Sequence, residues 1–451
     1  MKYEFPKDFI WGTASSSYQI EGGWNEDGKG ESIWDRFCHL PGKIKNGDTG
    51  DVSADFYHRY KEDIELMAKL GTKSFLYTIS WPRVIPEGTG AVNPKGIAFY
   101  RDVFQRCRAA GMRVMAVLYH WDLPQKLQDR GGWANREIIG WFTDYANLCF
   151  REFGDLVDDW ITFVEPASIS LGYNGYGNAP GHNDMNEMLL CAHHVNLCHG
   201  AAIKAFRASG LKSRIGVKIS QHMFRPDDPE SEADKHAARM ATLSMNDFYM
   251  DPLFKGVYNA EVKAMHEAQG YVYPEIEDGD MELMHQPIDF YGLNAYNPMY
   301  ISAKGKAAPS RTSNRNPRLT AYNWEFANNL LYEAIRYVYD NYFTEEFMKE
   351  IIITEGGCGL NDWMDDVTGK VEDPGRIAYL RSDLYQVHKA IQEGIPIKGY
   401  HVWSFFDNLE WTEGYSVRFG IVYIDYNTLE RTPKSSYYWY QNVIRENAIE
   451  R

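Results

Sequence analysis

The sequence lacks the features that would assign it to several large classes of protein. No apolar run reaches the about 18 residues of a membrane-spanning helix, and the opening stretch MKYEFPKDFIWG holds no apolar segment of signal-peptide length. Basic residues number 47 against 62 acidic ones, and the net charge of −15 disfavours nucleic acid and anionic lipid as partners. The 6 cysteines show no CxxC spacing. We therefore expect a cytoplasmic protein with free buried thiols and neither a membrane nor a nucleic-acid partner.

Aromatic residues, by contrast, are plentiful. The chain has 13 Trp and 31 Tyr, and aromatic residues make up 15% of it. Such residues fill large cores, and they also offer flat apolar surfaces to planar ligands such as sugars. Because the charge disfavours polyanions, composition leaves neutral and cationic small molecules open as ligands.

Apolar, β-branched segments alternate with segments of helical spacing along the chain. Eight predicted strands lie at about 9–13, 74–80, 113–119, 160–165, 214–220, 288–294, 350–355 and 397–404. Predicted helices lie at 54–71, 96–111, 135–153, 186–210, 324–342 and 374–393. Eight such units without a Pro/Ser-rich linker predict the α/β class and a (β/α)8 TIM barrel, a single domain over residues 1–451.

An open, doubly wound sheet is the competing fold. No GxGxxG or GxxxxGKS/T sequence opens a predicted helix, and the short Gly175-Tyr176-Gly177 is too weak to count as a phosphate-binding turn. Longer polar segments at 25–50, 172–190, 222–235 and 297–325 instead suggest long βα loops over one face of a barrel. The barrel is therefore the favoured fold.

The residues that follow the predicted strands define a candidate pocket, because the strand ends of a barrel meet at one mouth. They are Tyr18, Gln19, Glu21, His120, Trp121, Asp122, Glu165, Asn294, Tyr296, Glu355, Trp403 and Asp407. Each alone has a structural explanation, such as an ion pair at the barrel rim. Together, the glutamates after strands 4 and 7, Glu165 and Glu355, suit glycoside hydrolysis, in which one acid protonates the leaving oxygen and one carboxylate attacks the anomeric carbon.

Metal-assisted chemistry is the rival enzymatic interpretation. His193, His194 and His199 cluster in a predicted helix, but their spacing is neither HExxH nor an HxH pair at a strand end. A packed helical cluster explains these histidines better. We expect no metal and no other cofactor.

Five longer stretches form a specific set. They are FIWGTASSSYQIEG from Phe9, HWDLP at 120–124, the strand that ends in Glu165-Pro166, ITEGG at 353–357 and VWSFFDNLEWTEGYSVRFGIVYIDY at 402–426. Together they resemble glycoside hydrolase family 1, the retaining β-glycosidases, and the likeness extends from Phe9 to about Val443. The resemblance implies a barrel enzyme that hydrolyses small β-glycosides by a double displacement.

The resemblance also implies roles for individual residues. Glu165 matches the acid/base and Glu355 the nucleophile. The groups that hold the sugar match Gln19, His120, Trp121, Trp403, Glu410, Trp411 and Phe419. Tyr296 matches the tyrosine that hydrogen-bonds the nucleophile, with Asn294 in the same network, and Trp324 matches an aromatic platform for the leaving group.

The substrate class follows from the same positions. Glu410-Trp411 suits the 4- and 6-hydroxyls of unphosphorylated glucose or galactose, whereas the 6-phospho enzymes of the family carry Ser at the first position. An acidic Glu410 would repel a phosphate. Thioglucosidases replace the acid/base with Gln, and here that residue is Glu165. The resemblance thus favours a plain β-D-glycoside and an activity of the β-glucosidase type.

Three positions in the pocket depart from the family. Leu76 replaces an arginine beside the nucleophile, Val164 replaces an asparagine that holds the sugar 2-hydroxyl, and Gly356 replaces the asparagine of Thr-Glu-Asn-Gly. Without the arginine the pKa of Glu355 should rise unless another group compensates. The departures predict a weakened β-glycosidase. The alternative is a remodelled or degenerate site that binds an apolar ligand or uses a glutamate as general base in a non-glycosidic reaction.

Overall fold

Eight parallel strands close into a barrel. The computed structural model describes residues 2–305, 307–308, 318–327 and 329–450. The barrel strands are Ile10–Ser15 (β1), Ser74–Thr78 (β2), Arg113–Tyr119 (β3), Asp159–Val164 (β4), Arg214–Ser220 (β5), Phe290–Asn294 (β6), Ile351–Gly356 (β7) and Ile397–Trp403 (β8). Each strand pairs in parallel with the next along the chain, and β8 pairs with β1. The predicted (β/α)8 barrel is confirmed.

Helices alternate with the strands around the outside of the barrel. The longer ones are Phe56–Leu70 (α1), Pro94–Ala109 (α2), Ile138–Phe153 (α3), Met185–Ser209 (α4), Glu232–Thr242 (α5), Phe248–Phe254 (α6), Ala260–Ala268 (α7), Leu330–Tyr342 (α8), Pro374–Gln392 (α9) and Ser435–Glu446 (α10). In α1, Ile64, Met67 and Leu70 are buried at helical spacing, and Gly71 ends the helix at φ 86°. The spacing of apolar residues therefore sets which helical face meets the barrel.

Short elements fill the connections between strands and helices. Short helices lie at Ser17–Ile20, Ile33–Cys38, Trp81–Val84, Gln125–Gln128, Pro166–Leu171 and Asp280–Met284. Lys2–Glu4 pairs antiparallel with Ala448–Glu450, and Val422–Ile424 pairs antiparallel with Arg431–Pro433. The first of these pairs ties the two ends of the chain together.

The structure adds detail to one predicted insertion and moves the start of one predicted helix. The helix predicted over 324–342 begins only at Leu330, because Asn329, with φ 67°, turns the chain immediately before it. The polar segment 222–235 is not only loop: Met223–Pro226 forms a strand beside Pro298–Ile301, and α5 begins within it. Of the predicted insertion 297–325, residues 306 and 309–317 lie outside the described residues.

The barrel separates two apolar cores. The larger lies between the strands and the surrounding helices. The smaller, the inner cluster, lies inside the barrel and consists of Ala14, Leu76, Met115, Val117, Ile161, Val164, Phe290, Ile352, Trp403, Val417 and Phe419. Two of the pocket positions singled out in the sequence, Leu76 and Val164, therefore lie inside the barrel.

The histidines of α4 serve the fold. His193 contacts Asp280 and the Tyr258 hydroxyl, and His194 contacts the carbonyl of Trp133. No group of three or more His, Cys, Asp or Glu residues suited to hold a metal occurs within the described residues.

In that same part of the chain, no helix has the length and apolar character needed to cross a membrane. All 6 cysteines are free and buried, as predicted.

Candidate active site

Glu165 lies where β4 turns into a short helix. Its backbone is left-handed, with φ 52°, and Pro166 begins the helix directly after it. The Asn294 amide donates a hydrogen bond to Glu165 Oε1 at 3.0 Å, and the Ser168 hydroxyl donates one to Oε2 at 2.8 Å. The side chain is partly exposed. Glu165 is thus held by neutral donors and remains open to the barrel mouth.

Asn294, at the end of β6, joins the two halves of the site. Its Nδ2 donates to Glu165, and its Oδ1 accepts a hydrogen bond from the Thr354 hydroxyl at 3.0 Å. Thr354 directly precedes Glu355 on β7. The resemblance groups Asn294 with the nucleophile's network, whereas the direct contact of its amide is with Glu165.

Glu355 lies near the end of β7 and is buried. The Tyr296 hydroxyl donates to its Oε2, and the Lys218 ammonium forms an ion pair with its Oε1. Burial raises the pKa of Glu355 above its ordinary value, and repulsion from Glu165 adds to that rise, while Lys218 and Tyr296 oppose it. The two glutamates therefore have very different surroundings: neutral donors for one, a cation and a phenol for the other.

Lys218 is the residue that sequence reasoning missed. It lies within β5, is fully buried, and pairs in register with Val164 of β4. Its ammonium also lies 5.3 Å from the centre of the Trp403 ring. The available signal was a lysine inside RIGVKIS, an otherwise apolar predicted strand, because a charge there needs a buried partner.

A second acidic group lies across the mouth from the glutamates. Glu410 is buried, and its pKa is raised well above the ordinary value, first by burial and then by the charges of Glu355 and Glu165. Gln19 contacts Glu410 at 3.5 Å and donates to the carbonyl of Leu409 at 3.0 Å. These contacts fix an amide and a carboxyl side by side, an arrangement suited to adjacent sugar hydroxyls.

Aromatic rings line the remaining walls. His120 lies 5.9 Å from Trp403 and 5.6 Å from Trp411, and Trp121 lies 4.5 Å from Trp411, all measured between ring centres. Burial lowers the pKa of His120 well below its ordinary value, so the ring is neutral. The predicted sugar-binding residues thus form a continuous wall around the glutamates.

A second aromatic group lies beside Glu355. The Trp324 ring lies 5.3 Å from Tyr296 and 6.2 Å from Phe419. Tyr322, which sequence reasoning did not select, stacks on Trp324 at 4.1 Å with the ring planes 18° apart. This pair forms a flat apolar surface next to the proposed nucleophile.

The family model that describes glycosyl hydrolase family 1 matches residues 1–449. The chain belongs to glycosyl hydrolase family 1. It is 42% identical over 453 residues to beta-glucosidase A of Acetivibrio thermocellus, with 99% of this chain and 100% of that protein aligned. It is also 37% identical over 446 residues to a beta-glucosidase of an Agrobacterium species, with 97% and 94% aligned. The chain is therefore an enzyme of the glycoside hydrolase class.

Solved structures of family 1 agree with this assignment. The family 1 β-glucosidase from Thermotoga maritima superposes with a TM-score of 0.93 at 41% identity, and the match covers 100% of both chains. The same enzyme has been solved with isofagomine lactam, at a TM-score of 0.93 and covering 99% and 100%, and with castanospermine, at 0.92 and covering 100% of both. These comparisons give no support to a weakened site, nor to the alternative of a remodelled or degenerate site with a non-glycosidic role.

Several strand-end residues lie away from the family 1 site. Glu21 accepts hydrogen bonds from Tyr77 and Tyr100, both at 2.6 Å, and forms an ion pair with Arg83. Asp407 forms ion pairs with Lys434 and Arg418, whereas Asp122 is buried and its pKa is raised by that burial to about 8. The ion pairs of Glu21 and Asp407 stabilise the loops that carry the site, so a strand-end position alone was not sufficient to predict a functional role.

Gly356, the third pocket position singled out in the sequence, packs closely against Tyr400. A side chain at Gly356 would collide with the ring and hydroxyl of Tyr400. That hydroxyl donates a hydrogen bond to Asp383 at 3.0 Å, and burial raises the pKa of Asp383 to about 8. Tyr400 thus occupies the space that a side chain at position 356 would need.

Proposed function

We propose that this protein hydrolyses unphosphorylated β-D-glycosides, as a β-glucosidase does, by a retaining double displacement. Glu355 is the nucleophile and Glu165 the acid/base. The observation that carries the proposal is the contrast between the two carboxyl groups: a buried one held by a cation and a phenol, and a partly exposed one held by neutral donors. The names of the relatives, beta-glucosidases, support the same substrate class.

In the first step, a Glu355 oxygen attacks the anomeric carbon while Glu165 gives its proton to the glycosidic oxygen, and the bond from the anomeric carbon to that oxygen breaks. In the second step, Glu165 takes a proton from water. The water oxygen attacks the anomeric carbon, and the ester bond to Glu355 breaks. The sugar leaves with its original configuration, because the configuration is inverted twice.

The remaining residues orient the sugar. Gln19 and Glu410 meet hydroxyls far from the anomeric carbon, and a neutral His120 can accept or donate a hydrogen bond to the sugar. Trp403 and Trp411 contact its apolar faces. Trp324 and its stacked partner Tyr322 contact the leaving group.

A small-molecule β-glycoside is therefore the proposed partner. We also propose a cytoplasmic location, which cell fractionation would test.

Hydrolysis of 4-nitrophenyl β-D-glucoside and β-D-galactoside tests the proposal directly. We expect turnover by the wild type and almost none by Glu355→Ala. The 6-phospho-β-glucoside should be a much poorer substrate, because the Glu410 carboxyl offers a phosphate group no positive charge. Lack of turnover above the Glu355→Ala background on both sugars would contradict the proposal.

The two glutamate roles can be separated by adding azide to the alanine variants. In Glu355→Ala, azide can attack from the vacated side, which inverts the sugar once and gives an α-glycosyl azide. In Glu165→Ala, azide can replace water in the second step and gives a β-glycosyl azide. The opposite assignment of products, read by proton NMR, would exchange the two roles.

A further inference from the structure

A buried lysine forms the ion pair with the proposed nucleophile. Lys218 is fully buried, and within the described residues its only ion-pair partner is Glu355. A lysine is rarely buried unless it is paired, because moving an ammonium out of water is costly. The position of Lys218 inside the barrel therefore depends on the carboxylate that it meets.

We infer that Lys218, on β5, supplies the positive charge that keeps Glu355 ionised for attack. It would take the place of the arginine that the family resemblance leads us to expect on β2, where this chain has Leu76. The inference rests on the proposed function, since it requires Glu355 to be the nucleophile. It assigns Lys218 to the catalytic site, where it contacts a reacting oxygen.

The surroundings of Trp403 show how a lysine on β5 can replace an arginine on β2. Leu76 packs in the inner cluster together with Trp403, and the Lys218 ammonium lies 5.3 Å from the same ring. The two positions therefore reach one region of the barrel interior from different strands. A cation at one of them leaves the other to be filled by an apolar side chain.

The other titratable groups around Glu355 cannot supply this charge. Burial lowers the pKa of His120 well below its ordinary value and that of His401 to about 3, so both rings are neutral at the pH of catalysis. Tyr296 donates a hydrogen bond without a charge. The charge of Glu165 opposes ionisation of Glu355, and Glu410 is an acid that carries no positive charge.

The buried arginines of the described residues are paired elsewhere. Arg83 forms an ion pair with Glu21, and Arg376 forms ion pairs with Asp362 and Asp373. Lys218 is thus the cation that can act on Glu355.

The pH dependence of kcat/KM for 4-nitrophenyl β-D-glucoside tests the inference. Glu355 must be ionised to attack, so the acid limb of the pH profile, the fall of kcat/KM at low pH, follows the pKa of Glu355. Removing a cation beside Glu355 raises that pKa and moves the acid limb to higher pH. We expect Lys218→Met to move that limb up by about one unit or more, with a loss of at least about 10-fold in kcat/KM at acid pH. Lys218→Gln, which keeps the polarity without the charge, should behave alike.

The decisive variant restores the positive charge from β2 instead of β5. Leu76→Arg combined with Lys218→Met should return the acid limb close to its wild-type position. Lys434→Met is the matched control: Lys434 is also fully buried and forms ion pairs with Asp362 and Asp407, away from Glu355. It should lower thermal stability and leave the acid limb unchanged.

Three results would overturn the inference. The first is a folded Lys218→Met or Lys218→Gln enzyme whose acid limb lies at the wild-type pH. The second is a folded double variant whose acid limb stays where the single Lys218 variant has it. The third is a Lys434→Met enzyme whose acid limb moves as far as that of the Lys218 variant. Circular dichroism and thermal melting identify the folded variants, and if Lys218→Met does not fold, Lys218→Gln and the double variant provide the test. A wild type without Glu355-dependent turnover would instead refute the proposed function.

Discussion

The two sides of the pocket hold their carboxyl groups by different means. At the end of β4, Glu165 meets an amide and a hydroxyl and is partly open to the mouth. Near the end of β7, Glu355 is buried against Lys218 and Tyr296. An acid/base must gain and lose a proton in each cycle, whereas a nucleophile must stay ionised. Neutral contacts suit the first requirement and a buried cation suits the second.

The variants with the largest expected effect replace each of the two carboxyl groups by an amide. Glu355→Gln should abolish hydrolysis of every glycoside, on the order of 10⁴-fold or more, since no covalent intermediate can form. Glu165→Gln should cost about 10² to 10⁴-fold with alkyl glycosides, which need a proton on the leaving oxygen, and far less for the first step with 4-nitrophenyl glycosides. Equal losses across leaving groups in both variants would remove the distinction.

The next test adds a second cation beside Glu355. Leu76→Arg in the wild type places two buried positive charges around one carboxylate, so one of them lacks a partner. We expect the free energy of unfolding to fall by about 3–5 kcal/mol and kcat/KM to fall with it. Urea denaturation and kinetics measure both quantities. A gain in activity would mean that the barrel interior lacks positive charge despite Lys218.

A smaller effect should follow removal of the phenol. Tyr296→Phe deletes a hydrogen bond that lowers the pKa of Glu355, so the acid limb of kcat/KM should move to higher pH. The displacement should be smaller than that for Lys218→Met, because a neutral donor stabilises the carboxylate less than a cation does. A pH profile with a wild-type acid limb would show that the phenol has another role.

The smallest effect is expected on the other side of the pocket. Ser168→Ala removes one neutral donor from Glu165, which keeps its contact with Asn294. Loss of a single hydrogen bond of about 1 kcal/mol corresponds to a change in kcat below about 10-fold. The acid limb should stay in place, since Glu355 is unaffected. A displaced acid limb would show that the two sides are coupled more strongly than their contacts indicate.

Much of the fold could be predicted because it depends on local patterns. Buried parallel strands are continuous β-branched runs, and all eight were predicted from them. The start of α8 was not, because Trp324 and Phe326 continue a helical spacing through a loop that Asn329 ends. Loops at the barrel mouth follow contacts with distant residues, which spacing does not encode.

The site was predictable to the extent that it follows the strand ends. Glu165 and Glu355 were found in this way, and so were Asn294 and Tyr296. Lys218 was not, because it lies within β5 and only the register of β5 against β4 brings it beside Val164. The resemblance leads us to expect an arginine on β2 where the sequence has Leu76, but the position of the lysine beside Glu355 depends on the pairing of distant strands.

The buried thiols described above have a practical consequence for labelling experiments. Burial raises the pKa of Cys38 to about 11 and those of Cys107 and Cys358 to about 12, and it raises those of Cys149, Cys191 and Cys198 as well. Thiol reagents attack the thiolate, so the native chain should be inert to maleimides near neutral pH. A single cysteine introduced at Trp363, which is 74% exposed, would then accept a fluorophore without any prior removal of native cysteines.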